Sequence, residues 1–179
     1  MSTTAAPLTV DEFLALPEDD SVRRELIAGE VITMGRGGQL HEIVKSNFIL
    51  ELGWFLKQNP IGRVMSESTY RLSPHDSPMP DVSVILSGRL QTGHTGLIPL
   101  SPDIAVEVVS SEPAAFLQAK IKLYLRLGTT AVWVAYPELR IVHVYDAAGM
   151  HELSGDQPLE IRALLPGFSV PVAAFFQGL

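Results

Sequence analysis

The 179-residue sequence predicts an α/β (α+β) fold, with one mixed β-sheet flanked by helices behind an N-terminal helix and hairpin. Three features predict it. Asp103-Ile104-Ala105-Val106-Glu107-Val108-Val109 is a near-continuous apolar run with β-branched residues, the mark of a central strand covered on both faces. Two segments, one running to about Gln58 and one from about Pro113 to Leu127, carry apolar residues at helical spacing. Shorter strand-like runs lie between and after them, so helices and strands alternate along the chain as in a layered α/β unit.

The first element is a helix near Thr9 to Leu16. Thr9-Val10-Asp11-Glu12 reads as a capping box, and Pro17 stops the helix. From Arg24 to Met34, two apolar stretches flank Ala28-Gly29, where the glycine can take the positive φ of a tight hairpin. After Gly35 to Gly38 comes the long helix, with Leu40, Ile43, Val44, Phe48, Leu52, Phe55 and Leu56 on one stripe and Pro60 and Gly62 beyond its end. Strands are expected at Arg63 to Met65, Ser68 to Leu72 and Asp81 to Leu86. The Gly-, Ser-, Thr- and Pro-rich stretch Ser87 to Pro102 reads as a loop. After the central strand and the second helix, with Gly128 as its stop, Ala131 to Ala135 and Arg140 to Tyr145 are two further strands. His151 to Leu153 and Leu159 to Ile161 would extend the sheet at an edge, and Ala173 to Phe176 would pack at the C-terminus. No repeat, low-complexity tract or linker divides the chain, so one domain over 1–179 is expected, with 1–7 as a flexible N-terminus.

Composition narrows the function. Hydrophobic residues make up 46% and charged residues 18%, as in an ordinary globule. There is no cysteine, which excludes disulfide scaffolds, thiolate zinc sites and cysteine nucleophiles. No apolar run approaches the roughly 20 residues of a membrane span, and Met1 to Pro7 has no signal-peptide pattern. A cytoplasmic protein without a membrane partner is the expectation. Thirteen Lys and Arg against twenty Asp and Glu leave a net charge of −7. Nucleic acid is held chiefly by phosphate neutralisation, so this balance excludes a generic DNA coater and leaves at most a local basic groove.

Strand alternation decides which side chains can meet. Glu107 shares a face with Ala105 and Val109, opposite Ile104, Val106 and Val108, and so projects from the middle of an apolar strand. A carboxylate there is costly unless it is paired or bound to a cation. Asp81 opens its strand after Pro80, and on a neighbouring strand the two acids could share one divalent ion. On the helix that follows, Leu117, Ile121, Tyr124 and Leu125 form the apolar arc. Lys120 falls inside it, whereas Lys122 and Arg126 fall on the opposite side. A solvated Asp81, a structural salt bridge at Glu107 and a lysine that snorkels to water are the plain alternatives.

Taken together, Glu25-Leu26-Ile27-Ala28-Gly29-Glu30, His41 opening a helix, Pro80-Asp81-Val82, Pro102 to Ser110, Lys120 four residues before Tyr124, Gly128 and the Trp133 strand form one ordered pattern. In it the chain resembles the Uma family of restriction-endonuclease-like proteins, a branch of the PD-(D/E)xK nuclease superfamily. The resemblance runs from Leu8 to the Leu165-Pro166-Gly167-Phe168 segment. It implies a restriction-endonuclease-like core and metal-dependent cleavage of nucleic acid, DNA before RNA, by a homodimer. It makes Asp81 the motif aspartate and Glu107 the motif glutamate. The lysine usual two residues later is Val109 here, which points to Lys120 on the next helix. Glu25 and His41 match additional acidic and histidine positions. The resemblance thus implies catalytic Asp81, Glu107, Lys120, Glu25 and His41, with Asp81, Glu107, Glu25 and His41 around the metal. The family's Ser-Pro after the glutamate strand is Ser110-Ser111 here.

Hard oxygen ligands favour one or two Mg²⁺ or Mn²⁺ ions over zinc. Glu25 could instead pair with Arg23 or Arg24, and His41 could be a solvated first-turn residue. His75, His94, His143 and His151 lack metal-ligand spacing. Gly35, Gly37 and Gly38 around Arg36 lack the Gly-Lys-Ser/Thr of a phosphate loop. Two other readings compete: a catalytically silent nucleic-acid- or protein-binding module on the same fold, and a small-phosphoester hydrolase, which needs less positive surface.

Overall fold

A computed structural model describes residues 6–19, 21–35, 37–91, 93 and 96–179. The expectations placed on residues 1–5, Arg36 and His94 lie outside the described residues. Helix α1 (Val10–Leu14) starts on the capping box its sequence encodes: the Glu12 N–H donates to Thr9 Oγ1 at 3.3 Å, and the Thr9 N–H donates to Glu12 Oε2 at 2.8 Å. Strands β1 (Arg23–Ile27) and β2 (Glu30–Met34) form the expected hairpin, turning on Ala28 (φ 52°) and Gly29 (φ 76°). Pro7 packs against Gly29, and the Leu8 N–H donates to the Gly29 carbonyl at 2.9 Å. A Cβ at this position would collide with Pro7. Gly29→Ala is therefore expected to cost about 1–3 kcal/mol, read from the urea unfolding midpoint; an unchanged midpoint would show that the turn relaxes freely.

Helix α2 (Gln39–Gln58) buries Val44, Phe48, Leu52 and Leu56, and with them His41 and Lys45. Leu40 lies just outside this arc and is exposed. Strands β3 (Gly62–Ser66), β4 (Val82–Leu86), β5 (Ile104–Val108), β6 (Ala131–Tyr136), β7 (Ile141–Asp146) and β8 (Gly149–Ser154) form a six-stranded sheet in that order. It is antiparallel except between β5 and β6, which run parallel because helix α3 (Ala114–Arg126) carries the chain back between them. Gly128 ends α3 at φ 97°.

Two expected strands differ. Ser68 to Leu72 forms no regular strand, since Glu67 (φ 45°) turns the chain out of β3 and only Tyr70 bridges, to Ile98. The segment around Leu159 does not extend the sheet. It becomes β9 (Pro158–Glu160) and pairs with β10 (Ser169–Pro171) in a separate ribbon, which places Leu159 in the core.

The two faces of the sheet are covered differently. Ile104, Val106 and Val108 pack with Trp133 against Phe48 and Leu52 of α2 and against Phe175 from the short 3₁₀ turn Val172–Phe176. The Phe48 and Phe175 rings stack at 4.1 Å. Ala105, Val132 and Val134 pack against Leu117, Ile121 and Tyr124 of α3. Alternation along β5 therefore aims Glu107 at α3.

Candidate active site

Five segments converge where the N-terminal end of α3 and the hairpin meet the sheet. β1 brings Glu25, the first turn of α2 brings His41, the residue before β4 is Asp81, β5 supplies Glu107 and α3 supplies Lys120. All five are buried, and all five line one cavity of about 30 Å³, room for a water or an ion.

Each acid has its own partners. The Glu107 carboxylate takes Lys120 Nζ at 2.8 Å and the Tyr124 hydroxyl at 3.0 Å. Glu25 takes Lys120 Nζ at 3.0 Å on Oε1 and the Met79 N–H at 2.9 Å on Oε2. Lys120, only 3% exposed, thus spans two carboxylates and does not snorkel. Asp81 accepts the Val108 N–H at 2.8 Å on Oδ2, which ties the start of β4 to the end of β5, and His41 Nε2 stands 3.2 Å from the same oxygen. Arg23 Nη1 reaches Asp81 Oδ1 at 2.6 Å.

Proton affinities follow from these neighbours. Burial pushes the Asp81 carboxyl up, but the His41 hydrogen bond and the Arg23 and Lys120 charges outweigh it and hold it well below the ordinary carboxylate range. Burial also pushes Glu107 up, to about 8; Lys120 pulls it down, while the like charges of Asp81 and Glu25 add to the rise. Lys120 stays protonated, because Glu107 and Glu25 overcome the cost of its burial. His41 is raised for the same kind of reason, with Asp81 and Glu42 outweighing burial. Tyr124, raised by burial and by Glu107, remains a hydroxyl donor.

A sequence profile of the Uma2 family, described as "Putative restriction endonuclease", matches residues 10–173. The chain belongs to the Uma2 family. Its fold is similar to that in the 1.96 Å crystal structure of "a putative nuclease belonging to DUF820" from Anabaena variabilis ATCC 29413. The TM-score is 0.85 at 24% identity, over 95% of this chain and 98% of that one. None of the curated proteins matches the chain. The restriction-endonuclease-like fold expected from the sequence is thereby established for this Uma2 member.

Among the described residues, no group of three or more His, Asp or Glu side chains stands as a ready metal cage. Glu25 faces Lys120 and the Met79 amide, and His41 stands against Asp81. The donor chemistry nonetheless fits a hard divalent cation. Three buried carboxylates, Glu25, Asp81 and Glu107, border one ion-sized cavity, and burial together with the neighbouring acids disfavours the charge on Glu107.

Two contributors to the site are not singled out by the sequence alone. Arg23 reads there only as a partner for Glu25, although its place two residues earlier on one strand puts both on the same face. Tyr124 reads as part of the apolar arc, because phase cannot show that its hydroxyl ends on Glu107. Lys45, one turn after His41, is likewise buried and reaches Glu42 at 2.7 Å and Glu67 at 3.1 Å.

Proposed function

We propose that this Uma2 protein is a divalent-metal-dependent endonuclease that hydrolyses phosphodiester bonds in nucleic acid, DNA before RNA. The observation that carries the reading is the convergence of Glu25, His41, Asp81, Glu107 and Lys120 on one cavity. The nuclease descriptions carried by the family and by the Anabaena variabilis neighbour agree with it.

In this reading Asp81 and Glu107 hold one or two Mg²⁺ or Mn²⁺ ions, with Glu25 and His41 flanking them. The cation supplies Lewis-acid polarisation of a phosphoryl oxygen and a lowered pKa for a coordinated water. The protein supplies the rest. Lys120, fixed by two carboxylates, presents a permanent positive charge to the oxygens where negative charge develops. His41, held by Asp81, is placed to pass a proton at Nε2 or Nδ1. Tyr124 and the Val108 N–H pin Glu107 and Asp81, so the acids do not have to reorganise during reaction. Cutting both strands of a duplex in one binding event takes two such sites, and a homodimer would provide them.

Labelled single- and double-stranded DNA and RNA, incubated with Mn²⁺ or with EDTA, test the proposal. Cleavage that EDTA abolishes is the expected result, with duplex or single-stranded DNA cut faster than RNA. No cleavage of any substrate by the folded protein would favour a catalytically silent binding module on the same fold. The net charge of −7 is the observation on that side.

A further inference from the structure

We propose that Arg23 is a built-in competitor for the metal: its guanidinium occupies the cation position at Asp81 and swings out when a divalent ion enters. This rests on the reading of the cavity as a metal site, and it gives Arg23 a task that reading does not assign.

Each oxygen of Asp81 has a different neighbourhood. Oδ2 is committed to the fold through the Val108 N–H and to His41, whereas Oδ1 carries Arg23 Nη1 at 2.6 Å. Glu107 is held from the α3 side by Lys120 and Tyr124. Oδ1 is therefore the carboxylate oxygen that a cation can claim without dismantling either strand, and a guanidinium sits on it.

Of the three cationic groups at the site, Arg23 is the outermost, its side chain alone 16% exposed against 4% for the Lys120 side chain and 6% for that of His41. Its seat is also incompletely bonded. Nη2 donates to the Met79 carbonyl and lies 3.5 Å from Glu25, but the buried Nε has no hydrogen-bond partner among the described residues. A buried donor left unpaired weakens the hold of the pocket on the whole group.

A place to go is present. Arg23 also borders a second cavity of about 430 Å³, whose wall includes Glu67 and Lys45. Glu67 is 46% exposed and already lies 3.9 Å from Arg23 Nη1, so an outward rotation exchanges one carboxylate for another. Two cations cannot share Asp81 Oδ1 at close range without strong repulsion in a partly buried site. Entry of a divalent ion thus couples to departure of the arginine. Before that, the pocket balances its own acids.

Mn²⁺ binding, measured by calorimetry and by loss of the free-ion paramagnetic resonance signal, tests this without reference to turnover. Arg23→Gln is expected to bind Mn²⁺ about tenfold more tightly than wild type, and Asp81→Asn to lose binding. Equal or weaker binding by Arg23→Gln, with wild type still binding, would overturn the competitor while leaving the metal site intact. No binding by any form would overturn both readings. Glu67→Gln provides a check at an exposed position, and its first arm, in the otherwise wild-type protein, does not depend on Arg23→Gln folding. It removes the acceptor for the displaced arginine and is expected to weaken Mn²⁺ binding in the wild type, an effect that shrinks in the Arg23→Gln background. Unchanged binding by Glu67→Gln, or an equal loss in both backgrounds, would count against the swing.

Discussion

Glu107→Gln is expected to lower the rate of Mn²⁺-dependent cleavage by about 10³-fold or more, the scale of losing a principal charge-stabilising group, while the protein stays folded. The substitution keeps the shape and the oxygen that accepts the Tyr124 hydroxyl, 3.0 Å away. It removes a charge that burial and two neighbouring acids already disfavour. Lys120 retains Glu25 at 3.0 Å, so no cation is left unpaired. Loss of activity therefore reports on chemistry and not on collapse, provided that circular dichroism and the thermal midpoint remain near wild type. Asp81→Asn is a harsher change, because Asp81 also fastens β4 to β5 through the Val108 N–H. A Glu107→Gln protein that cuts at the wild-type rate would remove Glu107 from the reaction altogether.

Lys120→Met carries the largest expected effect on stability. Removing one partner from a buried ion network costs about 3–5 kcal/mol, because the opposite charge is left unpaired in a poorly solvated place. Here Glu107 would lose the ammonium at 2.8 Å and Glu25 the same ammonium at 3.0 Å. Against the roughly 5–15 kcal/mol that holds a typical domain together, the loss is large. It is read as a drop in the urea midpoint at constant slope. The charge-matched variant Lys120→Met/Glu107→Gln is expected to recover at least half of it, since Glu25 keeps the Met79 N–H at 2.9 Å and Arg23 at 3.5 Å. Lys122→Ala, two positions on but facing solvent, should stay within about 0.5 kcal/mol of wild type. Equal effects of the two lysine substitutions would contradict the helical phase that buries Lys120. A double variant no better than Lys120→Met would show that the cost comes from lost packing rather than stranded charge.

Much of this arrangement was legible residue by residue. The apolar run at Ile104 to Val108 could only be an interior strand, and a period of two then placed Glu107 opposite Val106 and Val108. A period of 3.6 placed Lys120 with Leu117, Ile121 and Tyr124. The capping box at Thr9 and the stop at Gly128 were readable because each is satisfied within a few residues of itself. Errors arose where a segment's partner lay elsewhere. Ser68 to Leu72 has strand-like composition, but the turn at Glu67 removes it from the sheet. Leu159 fits an edge strand of the sheet as well as it fits the ribbon with Val170, and alternation cannot choose between two neighbours.

By itself, the sequence determined the elements, the buried faces and the identities of the charged residues on those faces, because these depend on short-range periodicity and on the cost of leaving apolar surface in water. Only the tertiary structure decided how the charges are shared. Lys120 and Glu25 are 95 positions apart yet 3.0 Å from each other, and Arg23 meets Asp81 across 58 positions. Electrostatic energy depends on distance and on local solvation, neither of which is set until the sheet, the hairpin and α3 have closed around the cavity.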